Sequence, residues 1–175
     1  MKLLLGLSWL CWLWVAASAG ERQVQEADIR FKISNAGLPV NGTFSGLEAT
    51  IQFDPAHLEQ ARIRASVPVS TINTGIALRD RDLQKPTYFD AARYPTITME
   101  STSFQKTGPN QYEGLFKLTI KDVQREVKMP FTVSADHKFE GKMRLNRLDY
   151  HVGKKNLIMA NNVDVTIRVK AAQAH

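Results

Sequence analysis

Between Thr74 and Thr98 the chain reads "TGIALRDRDLQKPTYFDAARYPTIT", crowding Arg79, Asp80, Arg81, Asp82, Lys85, Asp90 and Arg93 between two apolar runs. Paired carboxylates can act as general acid and base. Asp80 and Asp82, however, are two residues apart, which on a helix turns them about 200° from one another. Arg79 and Arg81 beside them favour the ionised form, which suits ion pairing better than proton transfer. His57, His137, His151 and His175 stand alone, with no i,i+4 or H-x-H spacing to present a metal. A G-x-S-x-G elbow, a P-loop and a G-x-G-x-x-G turn are all missing from the sequence. The expectation is a protein without catalytic residues, metal site or cofactor, in which these charges act as a structural clamp.

The N-terminal "MKLLLGLSWLCWLWVAASA" has one early cation, an apolar run from Leu3 to Ala17, and Ala17 and Ala19 at an A-x-A position. That pattern predicts a signal peptide over 1–19, cleaved near Ala19, with release to the periplasm or the exterior. Bulky Leu10 before the lone Cys11 argues against a lipid-modified cysteine. The remaining 20–175 is then one thiol-free domain, stabilised by burial rather than by disulfides. Loss of Lys2 takes 23 cations to 22 against 17 acids, a net charge near +5. The cations are spread along the chain, which fits a solvated exterior and no nucleic-acid partner. The same excess permits transient contact with an anionic membrane surface.

The elements that must position these groups show a period of two. Ile29, Phe31 and Ile33 alternate with Arg30 and Lys32; Leu47, Ala49, Ile51 and Phe53 repeat the pattern. Further alternating sets are Ile63, Ala65 and Val67; Ile97 and Met99; Phe116 and Leu118; Met129 and Phe131; Met143 and Leu145; Val165 and Ile167. Eight segments with turn residues between them predict antiparallel hairpins. Only the charged stretch is long enough for a helix, expected over 76–84 after the third strand, capped by Asn73 or Thr74 and stopped by Pro86. Eight one-faced strands must close or stack, since an open sheet would leave edges and a bare apolar side. An eight-stranded antiparallel barrel can be solid or hold one ligand. Small residues at Ala49, Ala65, Gly114 and Gly141 favour a void, whereas Phe31, Phe53, Phe116, Phe131 and Phe139 could fill it. The pattern leaves both open.

The segment "STINTGIALRDRDLQKPTYFDAARYPTITMEST" resembles the signature of the YceI-like family: S-I-x-T-G, R-D-x-x-L, Y-F-D, Y-P and a strand ending in S-T. "FKISNAGLPVNGTFSGLEATIQFDP" is similar to the family's opening hairpin, "GLFKLTIKDVQREVKMPF" to its central one, and "LNRLDYHVG" to its N-R-x-D-x-x-V-G segment. The resemblance runs from about Asp28 to Ala171. It implies a lipocalin-like barrel, exported in bacteria, that encloses a long apolar ligand such as a polyisoprenoid, a quinone or a fatty-acid-like amphiphile. It brings no catalytic residues or metals. The chain departs from the family at Asn35 and Ala36, where a histidine is frequent, and at Ile76, where asparagine is; both bear on the ligand's head group.

On that reading the inward residues of the eight alternating sets line the cavity, and Leu78, Leu83 and Phe89 cap it. Arg79, Asp80 and Asp82 would tie the helix to Tyr88 and Asp90, with Arg79 or Arg81 free to meet a ligand's phosphate or carboxylate. The partner is a long-chain apolar small molecule. The alternative is a secreted stress or interaction protein that works through its surface, its barrel plugged.

Overall fold

A computed structural model describes residues 21–173. The expected signal peptide, Cys11 and His175 lie outside them. Nine strands form one antiparallel sheet: β1 (Arg22–Asn35), β2 (Leu38–Phe44), β3 (Glu48–Gln52), β4 (Arg62–Pro68), β5 (Thr96–Gly108), β6 (Gln111–Ile120), β7 (Val123–Val133), β8 (Lys138–Asn146) and β9 (Met159–Gln173). The single α-helix of the described residues, α1, spans Ala77–Leu83. Single 3-10 turns follow β4 (Val69–Thr71) and β8 (Arg147–Tyr150).

The sheet closes because β1 pairs on both edges. One edge meets β9, with Ile29 opposite Ile167. The other meets β2 over Ile29–Asn35 and β3 at Arg22 and Gln23. β2 and β3 therefore share one position in an eight-position ring. They are separated at Ser45–Leu47, where Gly46 takes a φ of +70° that side chains disfavour. The interruption is stitched to the chain beyond β4. Thr43 and Asn73 exchange backbone bonds of 2.8 and 3.0 Å, and the Thr71 hydroxyl accepts from Ser45 N at 3.1 Å.

β2 is the element the alternation does not reveal, and its presence puts α1 after the fourth strand rather than the third. Its sequence "LPVNGTF" carries Pro39, Asn41 and Gly42, all poor strand formers. Pro39 is tolerated because β2 faces only the Asn73 bridge on its far side. Gly42 is buried because the ring of Phe31, its ladder partner, covers its backbone.

On the outer face, solvent-facing pairs such as Arg64–Glu100 at 2.9 Å and Arg144–Asp164 at 2.6 Å link neighbouring strands. Each contributes at most about 1 kcal/mol. Most of the stability must come from the interior, which is split in two. Around Phe53 cluster Phe104, Tyr112, Phe131 and Phe139, with ring centroids 5.1 to 5.7 Å from it. At the other end Leu118, Ile120, Tyr150 and Val152 form a second apolar group with Tyr88 and Phe89.

Candidate ligand cavity

The two halves of the barrel are packed differently. The aromatic half is solid: four rings meet Phe53, all of them edge-to-face, each such pair adding about 0.5 to 1.5 kcal/mol beyond burial. The half towards α1 holds a partly open cavity of about 200 Å³. Void and plug are thus both present, at opposite ends.

Of the residues placed inward by periodicity, Ile29, Phe31, Ile33, Leu47, Ala65, Val67, Ile97, Met99, Leu118, Met143, Leu145, Val165 and Ile167 line this cavity, with Leu83 and Phe89 from the charged segment. Ile51, Phe53 and Phe131 belong to the solid half instead, with Ile63 packed against them. Phe116 and Met129 are buried but occupy the space beside Gly114 and Gly141, so those glycines leave no void. Ala49 packs against the aromatic cluster and borders a separate groove that runs from β1 to β7. Alternation marks the inner face correctly, but it carries no information about height along the barrel axis.

The charged segment departs further from expectation. Leu78 is 62% exposed and caps nothing. Arg81 is exposed and does not reach the lining. The clamp is local to Thr74: Asp80 accepts from its backbone N–H at 2.8 Å and from its hydroxyl, while Arg79 donates Nε to that hydroxyl and Nη2 to its carbonyl, both at 2.7 Å. Asp82 pairs with Lys85 at 2.6 Å. Ile76, not Asn73 or Thr74, occupies the N-cap position, with no side-chain capping bond. The effect is to hold Arg79 against the lining with part of its guanidinium uncommitted.

Arg147 is the residue that the alternating pattern misses. It is 6% exposed, lines the cavity, and has no carboxylate partner among the described residues. Its donors go to backbone carbonyls: Nε to Ala160 at 2.9 Å, Nη1 to Val152 at 2.9 Å, and Nη2 to Lys154 and Met159 at 3.1 and 3.4 Å. Burial pushes its pKa down, and the nearby Tyr88 opposes that. Burial likewise pushes the Tyr150 phenol up. The second 3-10 turn holds Arg147 in place: Asn146 caps it by accepting from Leu148 N at 3.1 Å, and Lys121 Nζ bonds the His151 carbonyl at 3.1 Å. A lone arginine within "LNRLDY", flanked by two leucines, was the available signal. Val40, Phe44 and Met159 also line the cavity, the first two from the unforeseen β2.

The arrangement is a chamber whose inner surface is almost entirely apolar, with the side chains of Arg79 and Arg147 packed into its lining. It can take the apolar end of an amphiphile, and the uncommitted part of the Arg79 guanidinium can meet a polar or anionic head. Among the described residues, no cluster of three His, Cys, Asp or Glu side chains is placed to hold a metal.

The fold has counterparts. A UPF0312 protein of Pseudomonas fluorescens is 29% identical over 169 residues, covering 88% of this chain and 85% of that one. The crystal structure of Burkholderia cenocepacia BcnA superposes with a TM-score of 0.79 at 25% identity, over 84% of this chain and 96% of that one. A polyisoprenoid binding domain from Saccharophagus degradans, implicated in plant cell wall breakdown, superposes at 0.69 over 89% of this chain and 99% of that one. At 12% identity that last likeness is one of fold alone. The sequence model of the YceI-like domain matches residues 22–171, and the chain belongs to the YceI-like domain family.

Proposed function

We propose that the protein is an exported carrier that encloses the apolar end of a long amphiphile, a polyisoprenoid, quinone or fatty-acid-like chain, for transport, storage or sequestration. The observation that carries this reading is the apolar cavity of about 200 Å³ beside the buried Arg147 and the tethered Arg79. The shared fold of the Saccharophagus degradans polyisoprenoid binding domain supports the ligand class.

The cavity's size sharpens the reading. It lies below the roughly 300 to 1,000 Å³ of pockets that engulf drug-sized ligands. One end of a chain enters, and the rest leaves through the mouth with its head near Arg79 and Arg147. Each methylene taken from water contributes about 0.8 kcal/mol before the cost of ordering the chain. Affinity should therefore climb over the first isoprene units and then level off.

The test is to purify the protein without detergent, denature it in organic solvent and analyse the extract by mass spectrometry. A stoichiometric apolar molecule is the expected result. An empty extract, together with no uptake of added short prenyl phosphates, would overturn the carrier reading and favour a role for the surface.

A further inference from the structure

Five large aliphatic side chains stand exposed among the described residues: Leu38, Ile76, Leu78, Leu157 and Ile158. All five lie at the cavity end of the barrel. Leu38 closes the β1–β2 hairpin, paired with Asn35, which lines the cavity. Leu157 and Ile158 precede Met159, another lining residue, and the Ile158 carbonyl accepts from Ala36 N at 2.8 Å, joining that loop to the hairpin. Ile76 and Leu78 sit between and beside Thr74 and Arg79, lining residues on the α1 side. Leu157 is fully exposed and Leu38 is 70% exposed.

Around Leu38, Leu157 and Ile158 the charge has one sign. Ser34–Asn41 and Val152–Met159 together contain Lys154 and Lys155 and no carboxylate. Both lysines are exposed, as is Arg81 on α1. Across the mouth, Asp80 is turned onto Thr74 and Asp82 onto Lys85. Protruding aliphatic tips flanked by lysines are the composition that settles into the headgroup region of a bilayer, apolar groups down and cations at the phosphates.

We propose that this rim docks the cavity mouth onto an anionic phospholipid surface. A second copy of the chain is a poorer occupant, because a two-fold contact would set like-charged rims against each other. The orientation rests on the cavity reading, since it places the mouth where an acyl or prenyl chain could pass from bilayer to barrel. The docking itself can be measured whether or not a ligand is bound.

The experiment is co-sedimentation of the protein, purified as the cell accumulates it, with vesicles of phosphatidylcholine and phosphatidylglycerol in equal parts, and with phosphatidylcholine alone. Binding to the mixed vesicles, weaker to the neutral ones and falling with salt, is expected. Lys154→Ala with Lys155→Ala should weaken it roughly 20- to 30-fold, about five-fold for each lysine brought to an anionic surface. Leu157→Asp with Ile158→Asp should abolish it. Lys106→Glu, at the solid end, should leave it within about two-fold, since a charge beyond the screening length contributes little. No binding to mixed vesicles, equal loss in the Lys106 variant, or rim variants that bind normally would each overturn the proposal. So would a dimer in sedimentation velocity that the Leu157 variant dissolves without altering vesicle binding. Ligand extraction could fail while vesicle binding succeeds, or the reverse, so the two readings fall separately.

Discussion

Phe31 lies across Gly42, its antiparallel partner, with the ring occupying the position where any side chain at residue 42 would begin. Both faces of this contact matter, because Phe31 also lines the cavity. Gly42→Ala should force the ring inward, destabilising the protein by about 1 to 3 kcal/mol as overpacking does. It should also reduce uptake of a prenyl chain. Urea denaturation reads the first effect and ligand titration the second, and Phe31→Leu added to Gly42→Ala should restore both. An alanine variant with unchanged stability would contradict the close packing.

Phe53 is the hub of the solid half, and Phe53→Ala should cost about 3 to 5 kcal/mol. Its removal would leave a hole behind Leu47 and Ile167, which pack against the aromatic cluster and line the chamber, so that a shift of either side chain joins the two. The variant should accept ligands longer by one or two isoprene units before affinity levels off, a shift read from a chain-length series. A variant that loses stability without changing the length limit would mean that Phe104, Phe131 and Phe139 collapse into the space.

These two phenylalanines show what was legible in the chain and what was not. Alternation identifies both as inward, because a strand with one wet face has a strict period of two. It cannot say that Phe31 borders a void while Phe53 fills one, since that depends on which neighbours share a level of the barrel. Register decides it, and register is set by the Ala36–Gly37 turn, the β5 bulge after Ser101 and the break at Gly46. The YceI-like motifs carry the barrel and its helix, whereas β2 stays hidden because its key position is a glycine. Arg147 is hidden from alternation for another reason: its partners are carbonyls, and only its place in the N-R-x-D-x-x-V-G motif sets it apart.

Arg147 should prove structural as well as electrostatic. Arg147→Met removes the guanidinium bonds to the carbonyls of Val152, Lys154 and Ala160; Lys154 keeps the Asn156 amide, and each buried group left unsatisfied costs about 1 to 3 kcal/mol. The expected loss is at least about 2 kcal/mol by thermal or urea unfolding. Arg147→Lys keeps the charge but not the planar fork of donors, and should rescue little of it. Full stability in the lysine variant would show that charge alone matters.

At the solid end, Asp136 should titrate well below an ordinary carboxylate, at about 2, because Lys138 bonds it and the Ser134 hydroxyl donates to it. Its folded value lies below the unfolded one, near 3.9. The stability it contributes is therefore present above the unfolded value and is lost as the pH falls through about 2. Carboxyl-carbon NMR reads the midpoint directly. Lys138→Ala should move it upward, and an unmoved midpoint would remove Lys138 as the main cause.

The shared position of β2 and β3 has a mechanical consequence. Most strands around the ring are zipped to both neighbours, although β7 meets β8 only over Phe131–Val133; beyond Gly46 the wall is fastened by little more than the Thr43–Asn73 clasp and the Thr71 hydroxyl. A cylinder closed by a clasp dilates at the clasp. The chamber's girth is then adjustable at the cost of a few bonds, and the amides of Thr43 and Asn73 should exchange with solvent ahead of those in the β1–β9 ladder.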